Sequence, residues 1–236
     1  MVDIAALLRG FLGNLKQQGV SVVRGRPLES VRAVRDGFEV QSGKERWSAK
    51  KLVNAAGAWA GWVAHRAGAM PVPLVAYRRH LFFTRPDAVS RKDWPFVWDL
   101  SHDFYFRPIG SRLMFSPCDK TPESRGDRSE KVHPLMERRL IEKLKGFSGA
   151  LKDIRVVDAR SGLRTMAPDG RFVLGEDPAL KNFYWAAGLG GHGVTSCFSI
   201  GELSADIILG RATDGRLRRV QAPGRFQLQK DMAHVA

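Results

Sequence analysis

Apolar residues recur at Ile4, Leu7, Leu8, Phe11, Leu12 and Leu15, the three- and four-residue spacing of one helix face. Asp3 is placed to cap the start of that helix and Gly19 follows its end. The period then falls to two. "VSVVRG" (Val20–Gly25) predicts a short strand closed by glycine, and "ESVRAVRDGFEVQSG" (29–43) predicts a hairpin turning at Asp36-Gly37. "KKLVNAAGAWAGWVAHRAG" (50–68) predicts a buried strand, a tight glycine turn and a helix. From Pro71-Val-Pro73 to about Asp158 the chain alternates strand-like runs ("AYRRHLFFT", "DFYFRP", "SRLMFS") with turns, Ile109-Gly110-Ser111 closing one hairpin. A helix is expected over about 129–145, and "DIRVVDAR" (153–160) as another strand. The pattern then predicts strands at "RFVLG" and "FYWAA" and a long helix from about Gly193 to Leu209, with an arginine-rich, loop-like tail.

Composition places this pattern in a packed protein. The 236 residues suffice for one large domain or two small ones, and 44% hydrophobic with 26% charged residues is ordinary globular usage. The net charge of +14 raises the question of nucleic acid. The basic groups are scattered, however, with never more than two adjacent arginines ("YRRH", "MERR", "GRLRRV") and no aromatic stacking platform. A solvated basic surface is expected, and no nucleic-acid partner. Cys118 and Cys197 are too few for a disulfide framework and are expected as free thiols. The histidines lack metal-ligand spacing, so no metal site is expected. No apolar run approaches the roughly 20 residues of a membrane span, and "MVDIAALLRG" is not a secretory signal, so a cytoplasmic protein is expected.

"FYWAAGLGGHGVTSCF" (183–198) carries Gly188, Gly190 and Gly193 in G-x-G-x-x-G spacing, after a strand and before a helix. A dinucleotide fingerprint also needs a second strand ending in an acid about 20 residues on. The sequence "GRATDGRLRRVQAPGRF" supplies none, so the pyrophosphate reading fails. Two readings of the glycines stay open: a tight turn with close packing, and a backbone that approaches a ligand beneath a positive helix end.

Four segments in order carry a family resemblance: "LVNAAGAWAG" (52–61), "DFYFRPIGSRLMFSPCD" (103–119), "SGLRTMAPDGRFVLG" (161–175) and "AAGLGGHGVT" (186–195). Together they resemble the FAD-dependent amino-acid oxidases and dehydrogenases, which include D-amino-acid oxidase and glycine oxidase, and most of all the D-arginine-dehydrogenase-like members. The resemblance implies an α/β (α+β) fold. An incomplete Rossmann-like FAD domain (1–73 and 162–236) would be interleaved with an antiparallel-sheet substrate domain (74–161). It also implies an N-terminal βαβ unit with its own G-x-G-x-x-G, which this sequence does not contain. The chain is therefore expected to be the C-terminal portion of such an enzyme. The alternative is a non-catalytic subunit or remnant that needs a partner chain, or self-associates, over the missing unit.

Residue by residue, the resemblance implies that Arg164 clamps the substrate carboxylate with its guanidinium fork. Tyr105 would lie over the flavin and donate a hydrogen bond to the same group. One of Arg78 and Arg79, which face opposite ways on their strand, would reach the substrate. Gly190, Gly191, Gly193, Val194 and Thr195 match the turn against the flavin ring. Ala56 and Gly57 match a strand-end turn near the cofactor, and Leu28 a position whose backbone meets the adenine. Gly162 falls where sarcosine oxidases carry the cysteine that bonds flavin, implying non-covalent FAD. Each position also has a purely structural reading, in core packing, a sheet face or an ion pair.

Overall fold

The computed structural model describes residues 2–86, 93–123, 131–148, 151 and 154–227. In chain order the elements are α1 (Ile4–Gln17), β1 (Ser30–Val34), β2 (Gly37–Ser42), β3 (Glu45–Ala49), β4 (Leu52–Asn54), a 3-10 turn (Gly57–Trp59) and α2 (Ala60–Ala67). There follow β5 (Val75–Thr84), β6 (Val97–Asp99), β7 (Phe104–Ile109), β8 (Arg112–Ser116), β9 (Thr121–Pro122) and α3 (Pro134–Lys145). The chain ends through β10 (Val156–Met166), β11 (Val173–Glu176), β12 (Phe183–Ala187), α4 (Cys197–Leu209) and α5 (Gly215–Gln221). They fall into two compact units, one of Met1–Pro73 with Ala167–Ala236 and one of Leu74–Met166. The strand predicted over 153–160 runs on through the "SGLRTM" segment to Met166 as β10.

In the first unit, β1, β2 and β3 form an antiparallel meander, and β11-β12-β4 a mixed sheet in which β4 runs parallel to β12. The first hairpin turns one residue earlier than expected: Val34 pairs with Gly37, which leaves Arg35-Asp36 at the tip. Gly37, at φ 148°, leaves no room for a side chain, since a Cβ there would press on the Ala49 and Lys50 backbone. The predicted strand at 20–25 does not form. Val20, Val22 and Val23 are exposed and pair with nothing in a described sheet, so β-branched composition alone did not make a ladder. β3 and α5 went unpredicted. β3 lacks strong alternation, and α5 is arginine-rich and amphipathic only weakly, but Asp214 caps it by accepting from Arg216 N and Leu217 N.

Asp3 caps α1 as expected, its Oδ1 accepting from Ala6 N at 2.9 Å. The helix buries none of its residues, however. Ile4 and Leu8 are 58% and 57% exposed, so the apolar stripe that predicts a packed face lies open.

The second unit is a six-stranded antiparallel sheet in the order β10-β5-β8-β7-β6, with β9 also on β5. From Tyr77 to Thr84, β5 alternates between half-buried and buried residues. On one face Phe82, Phe104, Phe106, Leu113 and Phe115 pack with Met136, Leu140 and Leu144 from α3. Burying each of these side chains contributes about 1.5–3 kcal/mol. α3 begins at Pro134, a favoured first helical residue, with His133 as its cap; the earlier start expected near 129 lies outside the described residues.

Buried polar groups fasten this face. His80 Nδ1 donates to Asp119 Oδ2 at 2.7 Å, and Asp119 Oδ1 accepts from His80 N at 3.0 Å. His80 Nε2 accepts from the N–H of His133 at 3.0 Å, so the imidazole is neutral with its proton on Nδ1. Arg78 lies on the same face, its Nε on Glu123 Oε1 at 2.6 Å and its Nη1 on Ser161 Oγ at 2.8 Å.

Candidate functional site

In the first unit the site residues gather at the carboxyl ends of two parallel strands. Trp185 of β12 pairs with Asn54 of β4, so the turn after each strand leaves the sheet at the same end. That end is where open α/β sheets bind ligands. After β4, the Asn54 side chain ties the turn: its Nδ2 donates to Ala60 O at 2.8 Å and its Oδ1 accepts from Ala56 N at 3.3 Å. This bracing role was not read from sequence, although an asparagine before a glycine turn is a usable signal. Gly57 follows at φ 55°, exposed, with open space where a Cβ would stand. Backbone is thus presented bare.

After β12, Gly188 and Gly190 take φ of 70° and 53°, which a side chain would disfavour. The Thr195 hydroxyl donates to His192 O at 3.0 Å and knits the turn together. Gly191, Val194 and Thr195 are exposed. A Cβ on Gly193 would meet Leu189 at 3.5 Å, an ordinary contact, so the fold does not demand glycine there. α4 then starts without an acidic residue in its first turn and without a side-chain cap, which leaves its N–H groups and positive end open. Ala56, Gly57, Gly190, Gly191, Gly193, Val194 and Thr195 therefore lie on two turns at one sheet end. Leu28 stands elsewhere, half-buried just ahead of β1 in the meander.

In the second unit, strand register decides which residues share a face. Arg164 pairs with Tyr77 and Gly162 with Arg79 across β10 and β5. Phe83 pairs with Met114 across β5 and β8, Tyr105 with Ser116 across β7 and β8, and Trp98 with Tyr105 across β6 and β7. Partners in register point to the same side. Arg164, Tyr77, Arg79, Ser116, Tyr105 and Trp98 thus line one face, opposite the α3 face that holds Arg78 and His80. On an ideal sheet, Arg164 and Tyr105 stand about 14 Å apart across the strands and about 13 Å along them, with Arg79 between.

These residues are free to act. Arg164 and Tyr105 are half-buried and make no hydrogen bond or ion pair with the described residues. The Tyr105 ring is held by Phe96 and Trp98, at centroid distances of 5.2 and 6.3 Å, which fixes its plane and leaves the hydroxyl available. Arg79 is also half-buried and has no ion pair among the described residues, where its Nε is buried without a hydrogen-bond partner. The sequence set Arg78 and Arg79 on opposite faces; only the docking of α3 decides that Arg78 is the structural one. Cys118 sits near this group with its thiol pushed up, by burial first and then by the Asp103 charge, against opposing pulls from Arg79 and Lys143. Such a thiol is protonated at neutral pH and a poor nucleophile.

Among the described residues, no three His, Cys, Asp or Glu side chains are grouped to hold a metal, and no helix is long and apolar enough to cross a membrane.

A mixed α/β fold with glycine turns at the ends of a parallel strand pair, and an antiparallel sheet inserted between its two segments, is the architecture of FAD-dependent oxidases. The family model described as "DAO: FAD dependent oxidoreductase" matches residues 1–207, and the chain belongs to this family. The chain is 24% identical to dimethylglycine dehydrogenase of Rattus norvegicus over 226 residues, covering 88% of this chain and 26% of that one. It is 25% identical to glycine oxidase of Bacillus licheniformis over 210 residues, covering 89% of this chain and 54% of that protein. Among solved structures, L-proline dehydrogenase from P. horikoshii superposes with a TM-score of 0.80 at 20% identity, over 94% of this chain and 59% of the other. The chain thus spans between a quarter and three fifths of these relatives.

FAD is the family's cofactor, and the two turns fit it: bare backbone at Gly57, a left-handed glycine at Gly190, and an uncapped helix end at α4. No residue of this cluster would repel a flavin ring by charge.

Proposed function

We propose that this chain is the C-terminal portion of an enzyme that oxidises the Cα–N bond of an amino acid, with the sheet of the second unit orienting the substrate. The observation that carries this reading is the pair of groups without a partner among the described residues, Arg164 and Tyr105, on one face of that sheet. Such groups are costly to half-bury without a ligand, and a carboxylate is an acceptor that suits each of them. Two divisions of labour follow. The first unit (1–73 and the segment after β10) would hold FAD without a covalent bond, through Ala56, Gly57, Gly190, Gly191, Gly193, Val194 and Thr195, with Leu28 meeting the adenine half. The second would bind the amino acid.

Bound FAD accepts a hydride. The protein's part is positional. Arg164 takes the substrate carboxylate in a bidentate grip, and Tyr105 donates from the far side, so that the Cα–H bond is held in one orientation. The substrate nitrogen, arriving neutral, forms C=N with its lone pair as the Cα–H pair departs. Water then adds, and the imine breaks to a 2-oxo acid and free amine. The open end of α4 lends partial positive charge to a site where negative charge develops. The likeness of residues 103–119 to D-arginine-dehydrogenase-like proteins favours a D-amino acid.

The test is optical. The purified chain, supplied with FAD, should carry flavin absorbance that bleaches on anaerobic addition of a D-amino acid. A chain that retains no flavin overturns activity for this chain alone.

A second reading concerns assembly. The open stripe of α1 and the 67% exposed Phe198 that touches Phe11 form an apolar surface on the first unit, in which β4 is also an edge strand. We infer that a strand–helix–strand segment carrying its own G-x-G-x-x-G covers this surface and supplies the adenine grip. Co-expression with such a polypeptide should yield a stable complex that holds FAD. A cleanly monomeric chain that binds FAD unaided would count against it.

A further inference from the structure

Arg79, left as the one of the two strand arginines that could reach the substrate, has no group assigned to it in the reading above, and the structure gives it unusual surroundings. It lies diagonal to Arg164 across β5 and β10, about 5 Å across the strands and about 7 Å along them on an ideal sheet. The residue directly opposite is Gly162, and a Cβ there would meet nothing within 4 Å. The two guanidiniums therefore flank an open notch in the sheet surface. Among the described residues, Asp158 is engaged with Arg160, Glu123 with Arg78 and Asp119 with His80, and Asp103 stands 4.0 Å from Lys143. Arg160 further stacks over Phe83, which holds it out of the notch. The thioether of Met166 and the ring of Tyr77 complete this part of the face, and neither carries charge.

We propose that the Gly162 notch binds a substrate with two anionic groups, the α-carboxylate on Arg164 and a second carboxylate on Arg79. Two guanidiniums without a partner among the described residues, one with its Nε buried and lacking an acceptor there, call for two negative charges. One carboxylate shared between them would leave a net positive charge in a half-buried place. The side-chain-free Gly162 lets the ligand lie across the gap. On this inference Arg79 is a specificity-determining residue, and the substrate class is an amino dicarboxylic acid or an N-carboxyalkyl amino acid. The inference rests on the sheet face being the substrate face, but not on the flavin.

The test uses the full chain and two ligands of equal shape, succinate and succinamate, titrated calorimetrically. The wild type should bind succinate about tenfold or more tightly than succinamate, the difference made by one charge-assisted pair. Arg79→Gln should erase that preference and leave succinamate binding unchanged; Arg79→Lys should keep part of it. Arg164→Gln should weaken both ligands. Equal affinity of the wild type for the two ligands, or binding of neither, overturns the proposal. So does an Arg79→Gln variant that loses both ligands alike, which would place Arg79 on the same carboxylate as Arg164. Thermal melts of each variant verify that the sheet is folded. If succinate is preferred but no flavin is ever retained, the anion notch stands and the redox reading of this chain alone fails.

Discussion

The two faces of the six-stranded sheet hold the same kinds of residue and treat them oppositely. On the α3 face Arg78 is buried with Glu123 and Ser161, and His80 with Asp119 and His133. On the other face Arg79, Arg164 and Tyr105 have no partner among the described residues. Neighbours in sequence, Arg78 and Arg79, thus differ in role because a strand sends alternate side chains to opposite sides. The first face is tied together largely by its own groups, although the Thr165 hydroxyl there is buried without a hydrogen-bond partner, and the second is left for something else to complete.

Stability should divide sharply between the faces. Arg78→Ala strands the Glu123 carboxylate and should cost about 3–5 kcal/mol, and Asp119→Ala leaves the buried His80 Nδ1–H unsatisfied and should cost about 1–3 kcal/mol. For a chain of this size that lowers Tm by about 2–4 °C per kcal/mol, read in thermal melts. Arg79→Ala should change stability by less than about 0.5 kcal/mol. Equal costs at 78 and 79 would erase the contrast.

Ligand affinity should divide the other way. Arg164→Gln should weaken carboxylate binding by about 10- to 100-fold with the melting curve unmoved, since a hydrogen bond to a charged group is worth about 1.5–3 kcal/mol. Calorimetry on the folded variant is the measurement.

The glycine turn offers a finer contrast. Gly190→Ala forces a left-handed residue and should cost about 1–2 kcal/mol. Gly193→Ala meets only an ordinary contact with Leu189 and should leave the melt unchanged. Flavin absorbance of the Gly193→Ala protein then reports the ligand alone: a loss of colour without a loss of stability marks the cofactor surface.

The smallest effect is one of pH. Burial pushes the Asp169 carboxyl up, but hydrogen bonds from Arg225 and Arg171 N, with the charges of both arginines, outweigh it and hold the group below its ordinary value. A depressed folded value means stability that is present above the unfolded value near 3.9 and is lost as pH falls through the folded one. Acid melts below about pH 4 should show a dependence that Asp169→Asn removes.

Much of this architecture was legible in the sequence. Period-two runs placed β5, β7, β8, β11 and β12, Asp3 announced α1, and four ordered segments pointed to the flavoprotein family. β3 and α5 were missed for weak local patterning, while three other failures share one cause, a partner outside the segment. Val20–Val23 had strand composition but no strand to pair with. α1 had a core-facing stripe but no covering core. The choice between Arg78 and Arg79 required the position of α3. The site was legible as residue types at family positions; the notch at Gly162 was not, because an open space is made by what stands opposite.

The His80 tie has a consequence for how the second unit folds. It joins residues 39 and 53 positions apart, and its last bond reaches the first turn of α3. Closing such long loops is entropically slow, so these contacts should form after the local hairpins. Substitutions at His80 or Asp119 should then speed unfolding while leaving the folding rate nearly unchanged, which makes this imidazole a latch on the lifetime of the folded sheet.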